Sequence, residues 1–183
     1  MKYLLFISVL FVNLSFSQSQ DDISDDYVTK GNKAMAEKDY IGAHYFYTKS
    51  IETSSAGNPN LHLNHLFRMN TSYSKNDYLG VLRESKETLN VFMKISEDIG
   101  YGDNANNEKR KEWYKNIAYM FLLKAMAIES LENNNLDYDK SEHCSKCDNV
   151  IQALYYDQGF RAALSRFNCN DEDIDNWGKI CLN

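Results

Sequence analysis

Pro59 is the single proline among 183 residues, and only eight glycines accompany it. Those numbers are too small for an all-β chain of tight turns, for a collagen repeat or for a flexible low-complexity chain. No stretch alternates apolar and polar residues for long, and no Asn-Gly or Asp-Gly pair marks a β-hairpin. Helical periodicity recurs instead. It predicts helices over residues 23–38, 40–53, 61–74, 78–98, 109–131 and 139–156, then a turn at Asp157-Gln158-Gly159 and two short helices. Ser54-Ser55-Ala56-Gly57-Asn58-Pro59-Asn60, Gly100-Tyr101-Gly102-Asp103-Asn104 and Asn133-Asn134-Asn135 interrupt the pattern. Trp113, Ile117, Met120, Phe121, Ile128 and Leu131 fall on one broad face of the fifth helix. With 43% hydrophobic residues the chain is one all-α domain, able to bury roughly 70% of its unfolded surface.

The first residues belong to a different class. Lys2 precedes the apolar run from Leu4 to Val12, and small residues follow at Ser15 and Ser17. That layout predicts a secretory signal peptide over residues 1–19, cut after Ser17 or Ser19, with an uncleaved anchor as the competing reading. The apolar run falls short of the ~20 residues that span a membrane, so no stable membrane insertion is expected after cleavage. No cysteine follows the run, so a lipid anchor is not indicated. The mature chain, 20–183, would be secreted or periplasmic in a bacterium. Loss of Lys2 would take its net charge from −6 to −7, which argues against a nucleic-acid partner.

Internal similarity sharpens the helical reading. Tyr27-x2-Lys30-Gly31-x2-Ala34 is followed by Asp39-Tyr40-x2-Ala43-x3-Tyr47-x2-Ser50-Ile51. This pattern resembles the tetratricopeptide repeat, a 34-residue helix–turn–helix unit. The resemblance implies that Gly31 and Ala43 let two helices approach closely, that Tyr40 wedges at the turn and that Tyr47 packs back on the first helix. A weaker copy lies 38 residues on: Asn32 maps to Asn70, Asp39-Tyr40 to Asp77-Tyr78, Ala43 to Val81 and Ile51 to Leu89. That copy has Met69 where glycine is expected and Ser85 where the aromatic is expected. Beyond Asp98 the register fails, although Gln158-Gly159-Phe160-x2-Ala163-x3-Phe167 resembles the second half of a unit. The expected architecture is a short TPR-like solenoid of antiparallel hairpins over about 24–98, then divergent hairpins over about 105–183.

Catalytic signatures are thin. There is no glycine-rich phosphate loop, no Gly-x-Ser-x-Gly and no His-Glu-x-x-His. His62 and His65 stand three apart without a nearby carboxylate or cysteine, which predicts helix-surface histidines rather than metal ligands. The acidic run Asp171-Glu172-Asp173-x-Asp175 lacks the alternating ligands and glycine of a calcium loop. Tyr45-Phe46-Tyr47 and Tyr155-Tyr156 are expected to pack between helices, with a sugar-stacking platform as the competing use. No enzyme activity, cofactor or metal is expected.

Cys144, Cys147, Cys169 and Cys181 cluster in the last quarter of the chain. In an exported protein they predict a disulfide framework, ahead of a zinc site or a reactive Cys144-x2-Cys147 redox pair. Cys147 and Cys169 are each 11 residues from Gln158. In an antiparallel hairpin both would sit about 16 Å along their helices, which favours Cys147–Cys169. Cys144 is then left for Cys181, on a final helix carrying Ile174 and Trp177.

The repeat resemblance implies a non-enzymatic protein that binds a protein or peptide on the face made by the first helix of each hairpin. Asn32, Met35, Asn70 and Tyr73 are the expected contacts, with Val28 and Leu66 beside them. Val28, Leu66 and Phe67 occupy places where the family's carboxylate clamp needs lysine or arginine, so a C-terminal carboxylate is not the expected ligand. The alternatives are an exported thiol-disulfide redox protein and a small inhibitor or immunity-type binder.

Overall fold

The computed structural model describes residues 19–98 and 107–169. The expected leader, the Gly100–Asn104 break and the segment holding Ile174, Trp177 and Cys181 lie outside them. Every regular element among the described residues is helical: α1 Gln20–Ala36, α2 Tyr40–Thr53, α3 Leu61–Ser74, α4 Tyr78–Asp98, α5 Asn107–Asn133, α6 Lys140–His143, α7 Lys146–Tyr156 and α8 Ala162–Phe167, with a 3-10 turn at Gln158–Phe160. From α2 to α5 each helix packs against the one before it, as antiparallel hairpins; α5 also touches α3, α7 packs on α5, and α8 packs on α7.

The sequence dictates how the hairpins close. Lys38 adopts a left-handed conformation (φ 62°). Its N–H then reaches Met35 O at 3.0 Å, and the Asp39 N–H reaches Ala34 O at 2.9 Å. This is a Schellman closure, which satisfies carbonyls that a helix end leaves unpaired. Asp39 then caps α2 by accepting the Gly42 N–H at 2.9 Å. Thirty-eight residues on, Asn76 (φ 63°) and Asp77 repeat both bonds to Tyr73 O and Ser72 O, and Asp77 accepts the Gly80 N–H at 2.9 Å. A Cβ at Gly42 or Gly80 would collide with the capping carboxylate. The same closure ends α5 at Asn135 and α8 at Asn168.

Side-chain packing inside the first hairpin follows the expected grammar. A Cβ on Gly31 would lie 2.6 Å from the Tyr47 ring, so only glycine admits that ring against α1. In the second hairpin the sizes are exchanged. Met69 fills the glycine's place and Ser85 the tyrosine's, both buried. A small–large pair has become a large–small pair, the kind of compensating volume change a close-packed interior tolerates best.

Two apolar clusters result among the described residues. The larger runs from Leu66 through Cys169 and is centred on α5, where Ala118, Leu122, Leu123, Ala125 and Ala127 are buried along with the predicted face. A helix buried on nearly all sides is a core helix. The smaller cluster is Ala34, Ala43 and Tyr47 alone. A buried polar seam links the first hairpin to α3: the Ser24 and Ser50 hydroxyls lie 2.9 Å apart, and Asn64 Nδ2 donates to Ser50 Oγ at 2.7 Å. Asp21 extends the seam by accepting from Ser55 N–H and Asn58 Nδ2, each at 3.1 Å.

The helix expected over 139–156 is broken. Cys144 takes φ 61°, and Ser145 opens a new helix through a reciprocal capping box with Asp148. Ser-x-x-Asp is a helix-start signal in its own right, and here it overrides continuity. Asn149 Nδ2 ties the junction together by donating to His143 O and Ser145 O. The expected bridge forms: Cys147 in α7 is bonded to Cys169, just past α8, with Cα atoms 5.5 Å apart. Cys144 is also disulfide-bonded, and its expected partner Cys181 lies outside the described residues. Among the described residues, no helix is long and apolar enough to cross a membrane.

The close approach at Gly31 is directly measurable. Gly31→Ala is expected to lower the stability of the disulfide-intact chain by roughly 1–3 kcal/mol in urea unfolding. Gly57→Ala, where an added Cβ meets nothing within 4 Å, is expected to leave stability unchanged or raise it by up to about 1 kcal/mol.

Candidate functional site

α1 and α3 carry the residues singled out as binding contacts. Asn32 is exposed on α1, and its Oδ1 accepts the Tyr47 hydroxyl proton at 2.8 Å. The Tyr47 ring, wedged against Gly31, meets the Phe67 ring of α3 at 5.5 Å. Phe67, Val28 and Met35 pack half-buried on the small cluster of Ala34, Ala43 and Tyr47. About one turn along α3 from Phe67 stands Asn70, whose Oδ1 accepts the Tyr119 hydroxyl of α5 at 3.2 Å. Tyr73 follows one turn later. Burial pushes the Tyr119 phenol above its usual range, and the nearby Tyr73 phenol adds to the effect. Asn32 and Met35 therefore lie around the Tyr47–Phe67 contact, and Asn70 and Tyr73 lie beside Tyr119.

Leu66 does not belong to that face. It is buried in the large core, because α5 covers the side of α3 on which it sits. Phe67 takes the exposed edge in its place. Tyr119 escaped sequence reading because the Ala/aromatic spacing fails beyond residue 98, leaving no register to place it.

Both asparagines are held the same way. In each, a tyrosine hydroxyl occupies the carbonyl end of the amide and fixes its orientation. The amide N–H donors have no protein acceptor among the described residues. Such a pair can donate to carbonyl oxygens without first paying to order its own side chains.

Charged groups beneath the face serve packing. Glu84 is buried between α2, α3 and α4; its Oε1 receives His44 Nε2 at 3.0 Å and Ser72 Oγ at 3.1 Å, with Arg68 Nε at 3.7 Å. Serine, histidine and carboxylate are the residue types of a nucleophilic triad. Here the serine and histidine both bond the carboxylate and not each other, so no base activates the hydroxyl. No group of three or more metal-binding side chains occurs among the described residues.

His62 and His65 correct the expectation of surface histidines. They are 6% and 8% exposed, and His62 packs on the Phe92 ring at 4.9 Å. Burial pushes each imidazole down to about 4, and Arg68 adds a smaller push on His65. Lys124 is a second buried charge. It stands on the Phe121, Ile128 and Leu131 side of α5 and is 6% exposed. Burial pushes its ammonium down to about 8, partly offset by Glu142. The signal was present in the sequence, since a lysine occupies an apolar-stripe position. The reactive Cys144-x2-Cys147 pairing is absent, because Cys147 is bonded to Cys169.

No protein-family model matches this chain, and neither a curated protein nor a solved structure matches it.

The buried bases set the response to acid. Each histidine's folded value lies below its unfolded value of about 6.5, so its contribution is complete above pH 6.5 and lost as pH falls towards 4. Urea unfolding is expected to show a loss on the order of 1–2 kcal/mol per histidine between pH 7 and pH 5. His62→Leu, which keeps an apolar contact with Phe92, should remove about half of that loss. Lys124→Met is expected to raise stability at pH 7 by roughly 1–3 kcal/mol, because a desolvated ammonium is replaced by an apolar chain of similar length.

Proposed function

We propose that this chain is a non-enzymatic, exported helical-repeat protein that holds an extended peptide or a partner's chain segment on the face of α1, α3 and α5. One observation carries the reading: two asparagines at matching places in successive hairpins, each oriented by a tyrosine hydroxyl, each keeping its N–H donors for a ligand. An extended main chain offers carbonyl oxygens at regular intervals, which suits a row of fixed amide donors. Half-buried Met35, Phe67 and Tyr73 supply apolar contact between them, the mixture that binding surfaces favour. The resemblance of residues 27–92 to tetratricopeptide repeats supports the same face. Export is supported by the signal-like first residues and by the Cys147–Cys169 bridge, which persists in oxidising compartments.

The test begins with affinity capture from an envelope fraction, using the mature, disulfide-intact chain as bait, and continues as a titration with the purified partner. Asn32→Ala combined with Asn70→Ala is expected to weaken binding by about tenfold or more. The thermal midpoint should stay nearly unchanged. Tyr119→Phe, which frees the Asn70 amide to rotate, should weaken binding to a smaller degree. Unaltered affinity in the folded double variant would overturn the assignment of this face.

A further inference from the structure

Lys124 is the only buried lysine among the described residues, with 6% of its surface in contact with solvent. It belongs to the α5 stripe of Ile117, Phe121, Ile128 and Leu131, all of them buried. Among the described residues no hydrogen bond or ion pair holds its ammonium, and Glu142 is the one charge that favours it. That carboxylate is already engaged. Its Oε1 accepts from Lys86 Nζ of α4 at 3.2 Å, and its Oε2 lies 3.8 Å from His143 Nε2. Lys86 and Glu142 are both about half exposed, so the Lys124 amine stands behind a surface ion pair and not within one.

The surrounding groups form one cluster at the junction of α4, α5 and α6. Lys124, Glu142, Asp139 and Lys86 all act on His143, whose imidazole is held below its usual range by burial first and then by Lys124. On the α7 side, Lys146 is paired with Glu129 of α5 at 3.7 Å, and the Asn149 amide donates to the His143 carbonyl. No carboxylate is left to pair with Lys124. Burial has already taken its ammonium down to about 8. About a tenth of the amine is therefore uncharged at pH 7, against roughly 0.04% for an ordinary lysine. A desolvated, uncharged amine is a nucleophile.

The apolar surroundings decide which electrophile suits it. Addition to carbon dioxide would create a carbamate anion where even a cation is poorly solvated. Condensation with a carbonyl compound gives an imine, which is less basic than the amine and removes the desolvated charge. The small solvent contact restricts the carbonyl compound to a short, unbranched one. We infer that Lys124 is a capture site for small neutral aldehydes, held as an imine behind the Lys86–Glu142 pair. The nitrogen lone pair attacks the carbonyl carbon, the C–N bond forms and the carbonyl oxygen takes a proton. That oxygen then leaves as water with a second proton, and the nitrogen gives up its two protons to solvent as the C=N bond forms. Amine and aldehyde become imine and water, with no oxidant or reductant. The site uses none of the amide-face residues and stands or falls without the peptide reading.

The experiment is reductive trapping of the mature, disulfide-intact chain with acetaldehyde and cyanoborohydride, read residue by residue by peptide mass mapping. At pH 7 Lys124 is expected to be ethylated at least about tenfold faster than the exposed Lys86 and Lys111. Comparison within one sample cancels the pH dependence of the reagents. Raising the pH to 10 should shrink that ratio by about tenfold or more, because ordinary lysines then lose their protons as well. In concentrated urea with the disulfides reduced, the three lysines should react at similar rates. A native Lys124 that reacts no faster than Lys86 would overturn the inference. So would a ratio that does not fall with rising pH, or a preference for Lys124 that survives unfolding.

Discussion

The fold depends on burying α5 on almost every side. Ile117, Ala118, Phe121, Leu123, Ala125 and Ile128 point in too many directions for any single neighbour to cover. The helix is stable only when α3 and α4 pack on one part of it and α7 on another. That requirement organises the second half of the chain, where repeat-like spacing has faded. It also explains why the C-terminal segment needs a covalent brace. α8 is a helix of six residues, too short to hold itself, and the Cys147–Cys169 bond fastens it to α7 where Leu164 and Phe167 enter the core.

Much of this was legible from residues alone, and for physical reasons. Ser54 to Asn60 and Asn76-Asp77 combine helix-ending and helix-capping side chains, so α2 and α3 end, and α3 and α4 begin, where the sequence says they must. The Cys147–Cys169 pairing followed from equal distances to a turn. It survived even though the second arm is a 3-10 turn plus a short helix rather than one straight rod. The Schellman closures were harder to see because lysine and asparagine stand where glycine would advertise the left-handed residue. Asp-Tyr-aliphatic-Gly, present at both 39–42 and 77–80, was the available clue.

Burial of polar side chains was the part that escaped. Whether His62, His65 or Lys124 meets water is decided by the helices that settle over them, and periodicity within one helix carries no information about those neighbours. The same limit hid Tyr119. Its hydroxyl matters only because α5 lies beside α3 at the level of Asn70. The pair of asparagines, by contrast, was readable because the 38-residue offset is a property of the chain.

The seam between the first hairpin and α3 has a consequence for how the protein behaves outside its resting state. Its inner surface is made of Ser24, Ser50, Ser54 and Asn64, with Asp21 and Asn58 at the edge. If α1 and α2 swing away, the hydroxyls, amides and carboxylates uncovered at the seam bond to water instead of to other chains, with Phe67 among the apolar groups released. A terminal unit joined through hydroxyls and amides can detach and return without offering a sticky edge to its neighbours. In a crowded solution that is a form of colloidal safety, written into the residues that hold the hairpin on.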